Sequence, residues 1–340
     1  MKKIGILTGG ADCPGLNSVI RAVVRKGMQE GYVVAGIKNG WLGLVENDMR
    51  ILDIRQTTGI LDKGGTILGT SRMTLLDNAT QVKQLAENYK RSGLDALIAV
   101  GGEETLKIAL DLFNKGLIKV IGVPKSIDNA LSGTDYAFGF DTAVNVATEC
   151  IDRLHTTAES HHRIIVIEVM GRYTGWIALE AGIAGGADEI LIPEIPTDLK
   201  KVCEDLKARH SRGRNFSIIV VSEGANVVGY NKDMAPVGER RRFGYVGEVV
   251  AKVIEESTGF ETRVSVLGHI QRGGTPTAYD RLVGTQFGVK AVELVTQGKF
   301  GQMVSLRDNK LQSVDIARAV KKRKMIDMEL YELAKVFFAA

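Results

Sequence analysis

The chain has 340 residues, 44% hydrophobic and 25% charged, with 44 Lys and Arg against 40 Asp and Glu, a formal charge of +4. That length exceeds the usual single domain and predicts two, each able to bury its own core. Basic residues are spread rather than gathered, which argues against nucleic-acid binding, and no apolar stretch approaches membrane-span length.

Met1-Lys2-Lys3 runs at once into an apolar strand instead of a signal sequence, so the expected location is the cytoplasm. Cys13, Cys150 and Cys203 are odd in number, far apart and without metal-ligand spacing; they read as reduced structural thiols.

In chain order, short β-branched runs at 4–7, 33–37, 96–100, 117–123, 164–167, 190–192, 218–221 and 264–267 predict buried strands. Helical spacing falls between them at 16–28, 81–89, 142–154, 199–209, 246–256 and 285–295. This alternation predicts an α/β protein with parallel sheets and helices on both faces. No repeat or proline-rich linker marks a boundary, and a change of partner sheet is expected around Phe140.

Ligands in such sheets bind beyond the carboxyl ends of the strands. The first run ends in Thr8-Gly9-Gly10-Ala11-Asp12-Cys13-Pro14-Gly15 and opens a helix, a turn whose backbone N–H groups suit phosphate, although it is neither a P-loop nor a dinucleotide fingerprint. The run at 96–100 ends in Gly101-Gly102-Glu103-Glu104-Thr105. Two acids there complement a helix dipole, or one of them positions Mg²⁺ through water. The run at 117–123 ends in Pro124-Lys125-Ser126-Ile127-Asp128-Asn129. That delivers a cation, a hydroxyl and a carboxylate together, a set suited to phosphoryl transfer to an alcohol. Later strands are flanked by His161-His162-Arg163, Met170-Gly171-Arg172-Tyr173-Thr174-Gly175 and Gly268-His269-Ile270-Gln271-Arg272-Gly273-Gly274, whose arginines suit bidentate recognition of phosphate.

With the run from Gly64 to Arg72, with Ser222-Glu223-Gly224 and with Tyr279-Asp280-Arg281, these motifs make the chain resemble the 6-phosphofructokinases, a family of ATP-dependent and pyrophosphate-dependent enzymes. The resemblance implies two Rossmann-like three-layer domains with mostly parallel sheets and an active site in the cleft between them. Residues 1–140 plus about 258–304 would bind the phosphoryl donor, and 141–257 plus about 305–340 the sugar phosphate. It implies Asp128 as the base on the 1-hydroxyl of fructose 6-phosphate, with Lys125, Ser126, Arg72 and Arg172 around the transferred group. Met170, Gly171, Glu223, His269 and Arg272 would form the sugar-phosphate pocket. Arg163 and Arg263 would reach the 6-phosphate from a neighbouring subunit, making the protein a homodimer or homotetramer. Gly10, Ala11, Gly102, Glu103, Glu104, Lys125 and Arg72 would meet the donor, and Glu103 the magnesium ion.

For the donor, ATP users of the family generally have glycine at the position of Glu104, whereas pyrophosphate users carry aspartate there, which Glu104 at least equals in bulk and matches in acidity, and a lysine matching Lys125. The resemblance therefore favours pyrophosphate, with Ile108 standing where some ATP users have glycine; an ATP-dependent kinase and a weakly active or non-catalytic sugar-phosphate-binding regulatory homologue are the alternatives. Ala11, Glu103, Lys107 and Ala130 depart from the family pattern, and Ala130 removes a carboxylate from the catalytic loop. All four lie on the donor and metal side. Arg21, Arg25 and Arg214 match effector positions of regulated relatives, but His155 stands where those often have arginine, and Arg21 and Arg25 read first as a solvated helix face; sedoheptulose 7-phosphate is a second acceptor that the motifs admit.

Overall fold

The computed structural model describes residues 2–73, 75–228 and 245–338. Contacts divide the chain into two units, Met1–Thr142 with Arg272–Arg323, and Ala143–Gln271 with Lys324–Ala340.

The first unit is built on β1 (Lys3–Thr8), β2 (Val33–Ile37), β3 (Met49–Leu52), β4 (Ala96–Gly101), β5 (Val120–Pro124), β10 (Gln302–Arg307) and β11 (Lys310–Asp315). They form one sheet in the order β11-β10-β5-β4-β1-β2-β3. Pairing is parallel from β2 to β10, and antiparallel only at the two edges. β4 and β5 are buried at every residue, as a central parallel strand covered on both faces must be. Leu97, Leu106, Leu112, Val120, Met303 and Ile316 belong to one apolar cluster packed around this sheet.

The helices α1 (Leu16–Gln29) and α9 (Ala278–Thr296) pack against each other through glycine. A Cβ at Gly288 would lie 2.7 Å from the Val19 carbonyl oxygen, so only glycine permits this approach.

The second unit has a four-stranded sheet of β6 (Ile164–Val169), β7 (Glu189–Leu191), β8 (Ser217–Ser222) and β9 (Thr262–Val266), ordered β7-β8-β6-β9 and parallel throughout. α7 (Leu199–Ser211) and α8 (Tyr245–Thr258) contribute Val202, Leu206, Val250 and Ile254 to its core, against Ile164, Ile219 and Val221. The alternating α/β pattern and the mostly parallel sheets read from the sequence are those observed.

The division of the chain differs from the expected one in two places. β9 lies beside β6, in register Ile165↔Arg263, so residues 258–271 belong with the second unit rather than the first. β10 pairs with β5 at Met303↔Gly122 and carries β11 with it, so residues 305–323 belong to the first. Strand pairing, not chain order, decides both. β10 and β11 carry too many polar residues for an apolar run to announce them, and β3 is a four-residue edge strand broken by Arg50. α9 begins at Ala278, where Thr277 accepts a hydrogen bond from the Asp280 N–H, rather than at 285.

Candidate functional site

In the first unit three strands end at one level. Thr8 pairs with Val100, and Gly101 with Pro124. The chain continues the ladder past the strands, with the Gly9 N–H donating to the Val100 carbonyl at 2.9 Å and the Lys125 N–H to Gly101 at 3.1 Å. The turns beginning at Gly9, Gly101 and Lys125 are therefore neighbours at the carboxyl edge of the sheet. A fourth segment joins them: the Gly10 N–H donates to Ser71 at 3.2 Å, and the Thr70 hydroxyl to the Gly10 carbonyl at 2.5 Å. Arg72 follows it, exposed.

Lys125 is only 5% exposed, and its ammonium donates to the Ala11 carbonyl. Burial lowers its pKa, and Arg272 adds to this, while Asp12 and Asp128 oppose it. The Arg272 guanidinium reaches the Asp12 carbonyl at 3.4 Å, with its Nε buried and unpartnered. Asp128 is half-buried; burial raises its pKa, and the charges of Arg272 and Lys125 pull it back. Two buried or half-buried cations thus stand by one carboxylate among backbone turns, an arrangement that suits a compact anion and a proton acceptor side by side.

The loop holding Asp128 is fixed locally. The Asp128 N–H donates to the Ser126 hydroxyl at 3.1 Å, so Ser126 braces the turn. Asn129 adopts φ 47°, the left-handed region that asparagine tolerates better than most residues. Its buried side chain donates to Asp135 at 3.2 Å and accepts from Ala137 at 3.1 Å. Sequence reasoning assigned nothing to Asn129; its position next to a loop acid was the available signal.

Gly102 precedes α4 (Glu103–Asn114), which opens on both acids. Glu104 is exposed. Glu103 accepts from Lys107 at 2.5 Å on one oxygen and from Arg323 at 3.0 Å on the other. Burial would raise its pKa, but the hydrogen bonds and charges of Lys107 and Arg323 outweigh it and hold it below the usual range. Among the described residues no cluster of three or more His, Cys, Asp or Glu could hold a metal. A single ionised, partly exposed carboxylate is nonetheless the donor type Mg²⁺ uses when water and phosphate oxygens complete its shell. Ile108 is 5% exposed and packs in the apolar core of the unit.

In the second unit the carboxyl edge of the sheet gathers another set. Met170 and Gly171 follow β6, Glu223 follows β8 and His269 follows β9. The Gly171 N–H donates to the Glu223 carboxylate at 3.4 Å, and the Ser222 hydroxyl to the Gly171 carbonyl at 2.5 Å. Gly224 lies so close that a Cβ there would meet the Arg172 carbonyl at 2.1 Å. Arg172 itself is exposed, its guanidinium 5.7 Å from the Tyr173 ring centroid. His269 is exposed too. Gln271, fully buried, accepts from the Met170 N–H at 3.2 Å and donates to Gly268 at 3.0 Å. It ties two site segments together, and nothing in its sequence context signalled that.

Arg163 and Arg263 are not with this set. They stand at the amino ends of β6 and β9, and six residues of strand put about 20 Å between the two edges. They are together instead around Glu261, which accepts from Arg163 at 2.7 Å and from Arg263.

These features can be set beside known proteins. The phosphofructokinase family model matches residues 3–295. A Streptomyces coelicolor protein named pyrophosphate–fructose 6-phosphate 1-phosphotransferase is 52% identical over 342 residues, covering 99% of each chain. A Clostridium perfringens protein named ATP-dependent 6-phosphofructokinase 2 is 49% identical over 349 residues, covering 97% of this chain and 94% of the relative. Of solved structures, the Saccharomyces cerevisiae phosphofructokinase has TM-score 0.82 at 34% identity over 99% of this chain, which spans 47% of the yeast chain. The pyrophosphate-dependent phosphofructokinase from Marinobacter aquaeolei has TM-score 0.82 over 97% of this chain and 86% of that one, at 22% identity, a likeness of fold. With a family model across most of the chain and a relative half identical from end to end, the chain belongs to the phosphofructokinase family.

Proposed function

We propose that this protein transfers a phosphoryl group from pyrophosphate to the 1-hydroxyl of fructose 6-phosphate, giving fructose 1,6-bisphosphate and phosphate. The observation that carries the choice of donor is Lys125, whose buried ammonium lies against the first glycine turn where a compact inorganic anion would sit. The Streptomyces coelicolor relative's name points the same way.

In this reading Asp128 takes the proton as the hydroxyl oxygen bonds to phosphorus and the bridging oxygen of the donor leaves with its electron pair. Its raised pKa brings it nearer to the operating pH, which favours a general base, and Asn129 keeps it aimed. Lys125, Arg72 and Arg172 balance the charge spread over the transferred group, with Gly10, Ala11, Gly102 and Glu104 on the donor and Ser126 fixing the catalytic turn. Met170, Gly171, Glu223, His269 and Arg272 take the sugar phosphate. Glu103 would hold Mg²⁺ through water, the ion supplying charge neutralisation on the donor. Because Arg163 and Arg263 stand at the far edge of their own sheet, their proposed contact with the 6-phosphate requires a second copy, hence at least a homodimer. We assign the protein to the cytoplasm, where both substrates would be met; no helix among the described residues is long and apolar enough to cross a membrane.

A second reading, ATP as donor, is favoured by the Clostridium perfringens relative, nearly as similar as the first. Incubation with Mg²⁺, fructose 6-phosphate and either donor, reading fructose 1,6-bisphosphate directly, separates the two. Product with pyrophosphate alone is expected. Product with ATP alone would overturn the donor assignment, and sugar-phosphate binding without product from either would leave a binding homologue.

A further inference from the structure

Glu103 is expected to receive a metal ion, yet both of its carboxylate oxygens are already taken by cations of the same unit. Lys107 is the ordinary helical neighbour, four residues on, with half its side chain exposed. Arg323 is different, because it comes from 220 residues away. Its backbone forms an antiparallel bridge with Leu131, three residues beyond Asp128, and its Nε donates to Glu103. The arginine is thus anchored on the catalytic loop and extends to the first residue of α4. Residue 130, the neighbour of that bridge, is alanine and offers no carboxylate to draw the guanidinium away.

Two positive charges thus bear on this one carboxylate. A divalent cation approaching Glu103, even through water, is repelled by both of them and competes with them for the charge of the same carboxylate. We propose that Arg323 and Lys107 are an internal counter-charge that competes with the donor's metal for Glu103, so that metal binding and release of Arg323 are one coupled step. Arg323 acts here as a positioning residue, through Glu103. Once released it stays near the catalytic loop, because the Leu131 bridge holds its backbone. Coupling of this kind is reciprocal: whatever holds Arg323 on Glu103 weakens the metal by the same factor.

The inference rests on Glu103 being the metal carboxylate, and the test separates the two ideas. The complex of Mn²⁺ with pyrophosphate, titrated into the full-length protein without sugar, is followed by the change in the Mn²⁺ electron paramagnetic resonance signal on binding. Partly exposed ion pairs are weak, so Arg323→Gln should tighten Mn²⁺ binding about 2- to 5-fold, and Lys107→Gln by a similar factor. Arg323→Lys, which keeps the charge, should stay close to the parent protein. Glu103→Gln should weaken binding at least as much. If Glu103→Gln weakens Mn²⁺ binding but Arg323→Gln and Lys107→Gln leave it unchanged or weaker, the competition is refuted while Glu103 remains the ligand. If Glu103→Gln changes nothing, the metal reading fails and the coupling with it. Lys107→Gln lies on an exposed helix face, so it keeps the test alive should Arg323→Gln fold poorly.

Discussion

Asp280→Asn is the perturbation that most directly probes what holds the neighbourhood of the Asp128 loop together. Asp280 is fully buried in the first turn of α9. One oxygen accepts from the Gly139 N–H at 2.8 Å and the Tyr136 hydroxyl at 3.2 Å, the other from the Thr142 N–H at 2.9 Å and the Thr142 hydroxyl at 2.5 Å. The carboxylate therefore caps the start of α5 (Phe140–His161) and fastens the segment that leads out of the loop held by Asn129. Burial pushes its pKa up, but all four partners are donors, which only an ionised carboxylate satisfies on both oxygens. Asparagine keeps one acceptor oxygen and turns an NH₂ toward two donors. Two charge-assisted hydrogen bonds are lost, and a backbone N–H is left facing another donor. At about 1.5–3 kcal/mol for each such bond, the loss is roughly 3–6 kcal/mol. Thermal unfolding should show a transition lowered by about 10 °C at the scale of a 150- to 250-residue unit. A shift below about 2 °C would refute the fastening role of Asp280.

Further outcomes follow from the same geometry. Glu189, buried on the edge strand β7 beside Asp205 and Asp188, has its pKa raised to about 8 by burial and by those acids. The folded state thus binds a proton that the unfolded state has released, so stability falls as pH rises from about 4.5 towards 8. Glu189→Gln should flatten this stretch of the unfolding-versus-pH curve and gain stability at pH 8; an unchanged slope would point to another group. Asp128→Asn should cut turnover by at least 10²-fold while leaving sugar-phosphate affinity within about threefold, measured by calorimetry beside steady-state rates; retained turnover would remove Asp128 as base. Gly224→Ala places a methyl 2.1 Å from the Arg172 carbonyl and must displace that turn. The expected result is a sugar-phosphate KM raised about tenfold or more, with stability reduced by about 1–3 kcal/mol; a wild-type KM would show that the turn does not serve the sugar.

The class of fold was legible because the central strands are continuous β-branched runs, and burial on both faces demands such runs: β4 and β5 announced themselves. The motifs at their ends were legible too, since glycines, a lysine and a carboxylate at a strand end have few other reasons to occur together. By itself the sequence thus determined the α/β alternation, the carboxyl-edge turns and the family they belong to.

Tertiary pairing decided the rest. No local signal tells β9 to lie beside β6 or β10 beside β5, because register is set by partners about a hundred residues away or more. The same distance hides Asp280 from the Tyr136–Thr142 segment it fastens, Gln271 from Met170, and Arg323 from Glu103. A polar side chain declares its chemistry locally, but which buried donors it must satisfy is fixed only when the chain has closed around it, for an unpaired buried group costs too much to leave.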